Sequence, residues 1–62
     1  MNALDVLVET IDGKVDSLKD FLAGGRAESF EEYKRICGEI RGLLIARGNT
    51  LDLKKNLEES DE

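Results

Sequence analysis

Sixty-two residues carry nine Lys and Arg against fourteen Asp and Glu, with 40% hydrophobic and 37% charged residues and a net charge of −5, which leaves room for one domain. A core of that size supplies only about 3–5 kcal/mol, so such chains are usually stapled by disulfides or metal, or completed by association. One cysteine (Cys37) and no histidine exclude an intrachain disulfide and the usual zinc ligand set. No metal and no cofactor is therefore expected, and association is the stabiliser left. No apolar run approaches the roughly 18–20 residues that span a bilayer, so no membrane contact is expected. The start, MNALDVLVETIDG, is acidic where a signal peptide is basic, and a lone cysteine suits a reducing cytoplasm. The acidic balance argues against direct nucleic-acid binding. Without proline, and rich in Leu, Glu, Lys, Asp and Ala, the chain reads as all-α.

A first helix is predicted from about Asn2 to Ala23. Leu4, Val8, Ile11, Val15, Leu18 and Leu22 recur at spacings of four and three, the period of one helical stripe, and Leu7 and Phe21 widen it. Asp5, Glu9, Asp12, Asp16 and Asp20 form a parallel acidic stripe, which at about 100° per residue falls away from the apolar one. Gly24-Gly25 stops the helix, because glycine takes the left-handed conformation of a C-cap. The GGRAE loop is short, and short loops join antiparallel neighbours. Ser29-Phe30-Glu31-Glu32 reads as a capping box, with the Ser29 hydroxyl on the Glu32 amide and the Glu32 carboxylate reaching back to Ser29.

The second helix starts there, with Phe30, Tyr33, Cys37, Ile40 and Leu44 as its stripe and Ile36 and Leu43 beside it. Glu31 and Arg35 have the spacing of a favourable pair one turn apart. Gly48-Asn49-Thr50 admits two readings. Gly48 ends the helix and a short third one follows, or one long helix continues, bent near Gly48, with Ile36, Leu43 and Leu57 in line at multiples of seven. The second reading is preferred. The expectation is a helical-hairpin domain over residues 1–57 and an acidic flexible tail over 58–62. Residues 1–25 hold five acids and two bases, whereas residues 26–57 hold five acids and seven bases. Antiparallel packing within or between chains then sets opposite potentials side by side.

Candidate chemistry is thin. Cys37 lies on the apolar stripe without a histidine base, so it reads as a small core hydrophobe. The acidic stripe Asp5, Glu9, Asp12, Asp16 and Asp20 lacks the concave pocket that carboxylate catalysis needs and reads as a solvated face, or as a contact for a basic partner. Lys34, Arg35, Arg41 and Arg47 scatter around their helix without interleaved aromatics, unlike a nucleic-acid site. Leu51, Leu53 and Leu57 could anchor a docking peptide or simply end the second helix. Gly38, Gly42 and Ala46 form a small-residue ridge beside Ile45, on the outer side of the helix. Two interior glycines cost about 2 kcal/mol, so these four residues are the candidate partner-binding surface.

The stretch Glu31–Leu43, EEYKRICGEIRGL, with the preceding acidic amphipathic helix and Gly-Gly turn, resembles a group of small helical-hairpin proteins encoded by tailed bacteriophages among genes for virion structure or DNA packaging. The likeness spans most of residues 3–45, with Tyr33, Gly38, Glu39, Arg41 and Gly42 as hallmark positions, and the last fifteen residues fit it less well. The resemblance implies a virion or host-cytoplasm location and an accessory role in the particle or its assembly. Taken together, the expectation is an all-α antiparallel hairpin that buries its stripe by homo-oligomerisation or against a larger phage structural protein, without catalysis. The alternative is a small acidic regulator that inhibits a host enzyme or nucleic-acid-binding protein through its first helix.

Overall fold

A computed structural model describes residues 2–60. Two helices, α1 (Ala3–Ala23) and α2 (Phe30–Ser60), are joined by residues 24–29, and no strand occurs among the described residues. Asp12 pairs with Arg47 and Asp5 with Lys54. Seven residues back along α1 thus match seven forward along α2, which makes the pair an antiparallel helical hairpin. The fold is all-α.

Local signals set each helix end. Asn2 caps α1: its side-chain oxygen accepts from the Asp5 amide at 3.0 Å, and the Asp5 carboxylate accepts from the Asn2 amide at 3.2 Å. At the other end the Gly25 amide donates to Leu22 O (3.1 Å) and the Arg26 amide to Phe21 O (3.3 Å), the paired bonds of a Schellman motif. Gly25 takes φ 70°, the left-handed conformation that makes glycine the residue of choice there. At the start of α2 the Ser29 hydroxyl accepts from the Glu32 amide at 3.0 Å, as the capping box predicts. The reciprocal bond is displaced by one residue, since the Glu32 carboxylate accepts from the Glu28 amide (3.2 Å) rather than from Ser29.

The helices meet along one seam. On α1 it comprises Leu4, Val8, Ile11, Val15, Leu18 and Leu22; on α2 it comprises Ile36, Ile40, Leu43, Arg47, Thr50 and Lys54, with Cys37 half-buried at its edge. Both sets step by four and three, the spacing of a coiled-coil seam. Ile11, Val15 and Ile36 are the buried apolar residues. Thr50 is buried too, and its hydroxyl donates to Ala46 O at 2.8 Å, so its burial leaves no polar atom unpaired.

Three residues expected in this core are not there: Leu7, Tyr33 and Leu44 remain exposed. Leu7 and Leu44 flank the seam on opposite sides, outside the roughly 100° stripe that a single neighbour covers. Tyr33, seven residues before Ile40, is in line with the seam but lies past the end of α1. α2 runs unbroken through Gly48, Asn49 and Thr50, so the short third helix does not form. Nor does the expected tail begin at Glu58: Glu58, Glu59 and Ser60 form the last turn of α2, where the Ser60 hydroxyl donates to Asn56 O at 2.8 Å. Residues 61–62 of that expected tail lie outside the described residues.

The molecule measures 51 × 18 × 12 Å, with a radius of gyration of 14.8 Å. A compact chain of this length has about 11 Å. Its thinnest dimension is one helix diameter, so the hairpin is a single layer.

Two glycines should respond oppositely to substitution. Gly13 is exposed within α1 with nothing near a Cβ added to it, so Gly13→Ala should stabilise the fold by about 1 kcal/mol. Gly25→Ala, strained by the positive φ, should destabilise it by roughly 1 kcal/mol. Urea titration followed by circular dichroism measures both.

Candidate functional site

The five carboxylates of α1 do not form one solvated face. Asp5 and Asp12 flank the seam and reach across it, whereas Glu9, Asp16 and Asp20 stay exposed. Arg47 donates from Nε to Asp12 Oδ1 at 2.6 Å and from Nη2 to Asp12 Oδ2 at 3.4 Å. Lys54 Nζ lies 2.6 Å from Asp5 Oδ1 and 3.8 Å from Glu58 Oε1. The side-chain bond from Lys54, followed by that from the Asn2 amide, holds the Asp5 carboxyl below its ordinary range, and Asp5 in turn raises the Lys54 ammonium. Asp5 thus serves two ends, completing the N-cap of α1 and tying down α2 where it passes.

Lys54 and Arg47 were the partners hardest to see. Arg47 reads from sequence as one of four scattered bases, yet it occupies a seam position four residues after Leu43. The legible signal was the seven-residue spacing of Arg47 and Lys54 against the same spacing of Asp12 and Asp5. Of the other bases, Arg35 bonds Glu39 rather than Glu31, and Arg41 is exposed.

The ridge residues Gly38, Gly42, Ile45 and Ala46 are all exposed on α2, and the hairpin itself makes no use of the close approach that Gly38 and Gly42 permit, since nothing lies within 4 Å of a Cβ added at either. Gly42 borders a shallow open groove with Lys14, Leu18, Glu39 and Leu43, and a second groove runs on past Phe21, Arg35 and Ile36. Neither encloses a substrate-sized volume away from solvent. Among the described residues no cluster of three His, Cys, Asp or Glu side chains is placed to hold a metal ion, and no helix is long and apolar enough to cross a membrane.

A larger apolar feature lies on the other side of the seam. Phe30, Cys37, Leu44 and Leu51 recur every seven residues along α2, so they share a face, and Tyr33 lies beside them. Phe30 is 72% exposed, Leu44 47%, Tyr33 46% and Leu51 39%. The Phe30 and Tyr33 rings stack with centroids 6.2 Å apart, and the Lys34 ammonium sits 5.6 Å from the Phe30 ring. Sequence periodicity places Leu44 in the core because it sees one broad apolar band where the structure covers only one half, and Tyr33 because it follows the seam past the level at which α1 ends. Leu53 is exposed on the remaining surface of α2, and Leu57, seven residues after Thr50, is exposed at the open end of the seam near Asn2 and Leu4.

The geometry defines a two-helix antiparallel hairpin with one covered seam, two crossing ion pairs and an uncovered apolar face. Comparison with known proteins adds no relative: the chain matches no protein-family model, no curated protein and no solved structure.

The Asp5–Lys54 pair fixes a pH dependence. Because Asp5 is lowered on folding, its contribution is present above the unfolded value of about 3.9 and is lost as pH falls through the lower folded value. Lys54 is raised, so its contribution is complete below about pH 10.4 and disappears as pH climbs through the higher folded value. Asp5→Asn should therefore flatten the loss of helicity between pH 4 and 2; an unchanged acid titration would show that the pair does not stabilise the fold.

Proposed function

We propose that this chain works by protein–protein association, without catalysing a reaction, as a minor structural or assembly component of a bacteriophage particle. The observation that carries the reading is the apolar face of Phe30, Tyr33, Leu44 and Leu51, left in solvent by a hairpin only one helix thick. Exposed apolar surface of this kind marks interaction sites. The particle setting rests on the resemblance of residues 31–43 to hairpins from phage structural gene clusters. Gly38, Gly42, Ile45 and Ala46 supply a second surface, on which a larger virion protein can approach the α2 backbone closely. The shallow grooves and the absence of histidine favour a scaffold over an enzyme.

The alternative, an acidic regulator of a host protein, draws on the carboxylates of α1. Two of the five, Asp5 and Asp12, are already paired with Lys54 and Arg47, which leaves Glu9, Asp16 and Asp20 for a basic partner.

Density-gradient purification of phage particles from cells producing a tagged chain tests the reading. The chain should sediment with particles or their assembly intermediates and stay bound at high salt. A chain absent from every particle fraction, which instead captures a basic host protein with steep salt dependence, would replace this reading by the regulator. Gly42→Leu should leave helicity intact and abolish incorporation, and normal incorporation of that variant would remove the ridge from the interface.

A further inference from the structure

We propose that the face carrying Phe30, Tyr33, Leu44 and Leu51 closes on the same face of a second copy of this chain, giving a two-fold dimer in which each α1 lies over the α2 of the other copy. This rests on the association reading above and narrows it to one occupant.

The area fits a dimer. The chain exposes 4781 Å², about 800 Å² more than the roughly 4000 Å² expected of a compact 6.9 kDa protein. The elongated hairpin thus leaves surface available for burial on the scale of one partner's share of a standard interface, about 800 Å². The layering agrees: at 12 Å the hairpin is one helix thick, and domains bury apolar faces between at least two layers. A second hairpin supplies the missing layer and turns two helices into a four-helix bundle.

Charge selects the pairing. Residues 1–25 are acidic, with five carboxylates and two bases, and residues 26–57 carry two more bases than acids. Stacking α1 on its own copy sets five carboxylates against five, whereas α1 over the second copy's α2 sets acid against base. A two-fold axis parallel to the helices gives the second arrangement and keeps equal levels together. The crossing pairs put Asp16 of α1 near the level of Leu43 of α2, within a turn of Arg41. Asp16 follows Asp12 by one turn, and Arg41 precedes Leu44 by one turn, so both border the uncovered face. Asp16 of one copy then approaches Arg41 of the other at each rim. Leu44 and Leu51, one turn before and after Arg47, then lie against the other copy's α1 on either side of its Asp12, and cover the Asp12–Arg47 pair.

Sedimentation equilibrium of the full chain, with circular dichroism on the same samples, should give twice the 6.9 kDa chain mass. The double variant Leu44→Glu/Leu51→Glu alters residues the single hairpin leaves exposed, and should weaken dimerisation on the order of a hundredfold or more. Leu53→Glu, away from this face, should change it by less than about twofold. Spin labels on Arg26→Cys in a Cys37→Ala background report the orientation without relying on a disrupted dimer. Both loops lie at one end in the proposed pairing, so the labels should be separated by about a bundle's width. Labels further apart than the length of α1, about 30 Å for 21 residues, would overturn the α1-over-α2 arrangement. A dimer indifferent to Leu44→Glu/Leu51→Glu would overturn the face. A helical monomer up to millimolar concentration would overturn the second copy as occupant while particle co-purification still reads the association itself.

Discussion

A helix in a two-helix protein has one neighbour, and one neighbour covers one stripe. Everything distinctive about this chain follows from that constraint. The seam takes six positions from each helix and buries Ile11, Val15 and Ile36 well, but it leaves the flanks of both stripes in solvent. An ordinary domain would fold another element over them. Among the described residues no such element occurs: Phe30, Tyr33, Leu44 and Leu51 are left together on one side of α2, while Val6, Leu7, Ile45, Leu53 and Leu57 are exposed elsewhere.

The two crossing ion pairs then do what the small core cannot do alone. Apolar seams of repeating four-and-three spacing tolerate a slip of one heptad, because a shifted register again sets apolar residues opposite one another. Asp5 with Lys54 and Asp12 with Arg47 are matched in a single register, and a slip of seven would leave one acid and one base without its partner. Exposed pairs of this kind contribute only about 0.2–1 kcal/mol each. Their value lies in selecting one alignment among near-equals, and that alignment in turn sets which side chains flank the uncovered face.

Much of this was legible in the residues. The α1 stripe, the Gly24-Gly25 stop and the Ser29 cap are local patterns, each fixed by neighbours within four residues, and the structure keeps them with one bond displaced from Ser29 to Glu28. What sequence could not divide was α2. Its apolar residues occupy a band wider and longer than the seam, so periodicity alone puts Leu44 and Tyr33 inside, and only the position and end of α1 decide which edge is covered and how far. The same blindness hid Thr50 and Lys54. A polar residue at a seam position looks like a cap or a surface residue until its partner across the seam is known. Of the candidate surfaces, the acidic stripe was recognisable as a stripe, but its division into paired and free carboxylates depends on α2. The exposed ridge at Gly38, Gly42, Ile45 and Ala46 was readable from helical angle alone.

The seam also changes character along its length. Near the loop it is apolar on both sides, with Leu18 and Leu22 meeting Ile36 and Ile40, and the Schellman turn and Ser29 cap hold that end closed. Toward the free ends, α2 contributes Arg47, Thr50 and Lys54 in place of aliphatic side chains. The hairpin is therefore a zipper with its pull at the open end. Local opening costs least where the helices part company and grows costlier toward the loop, so amide protons should exchange along a gradient rather than all at once. A hairpin built this way can loosen the open end of its seam while its closed end stays folded.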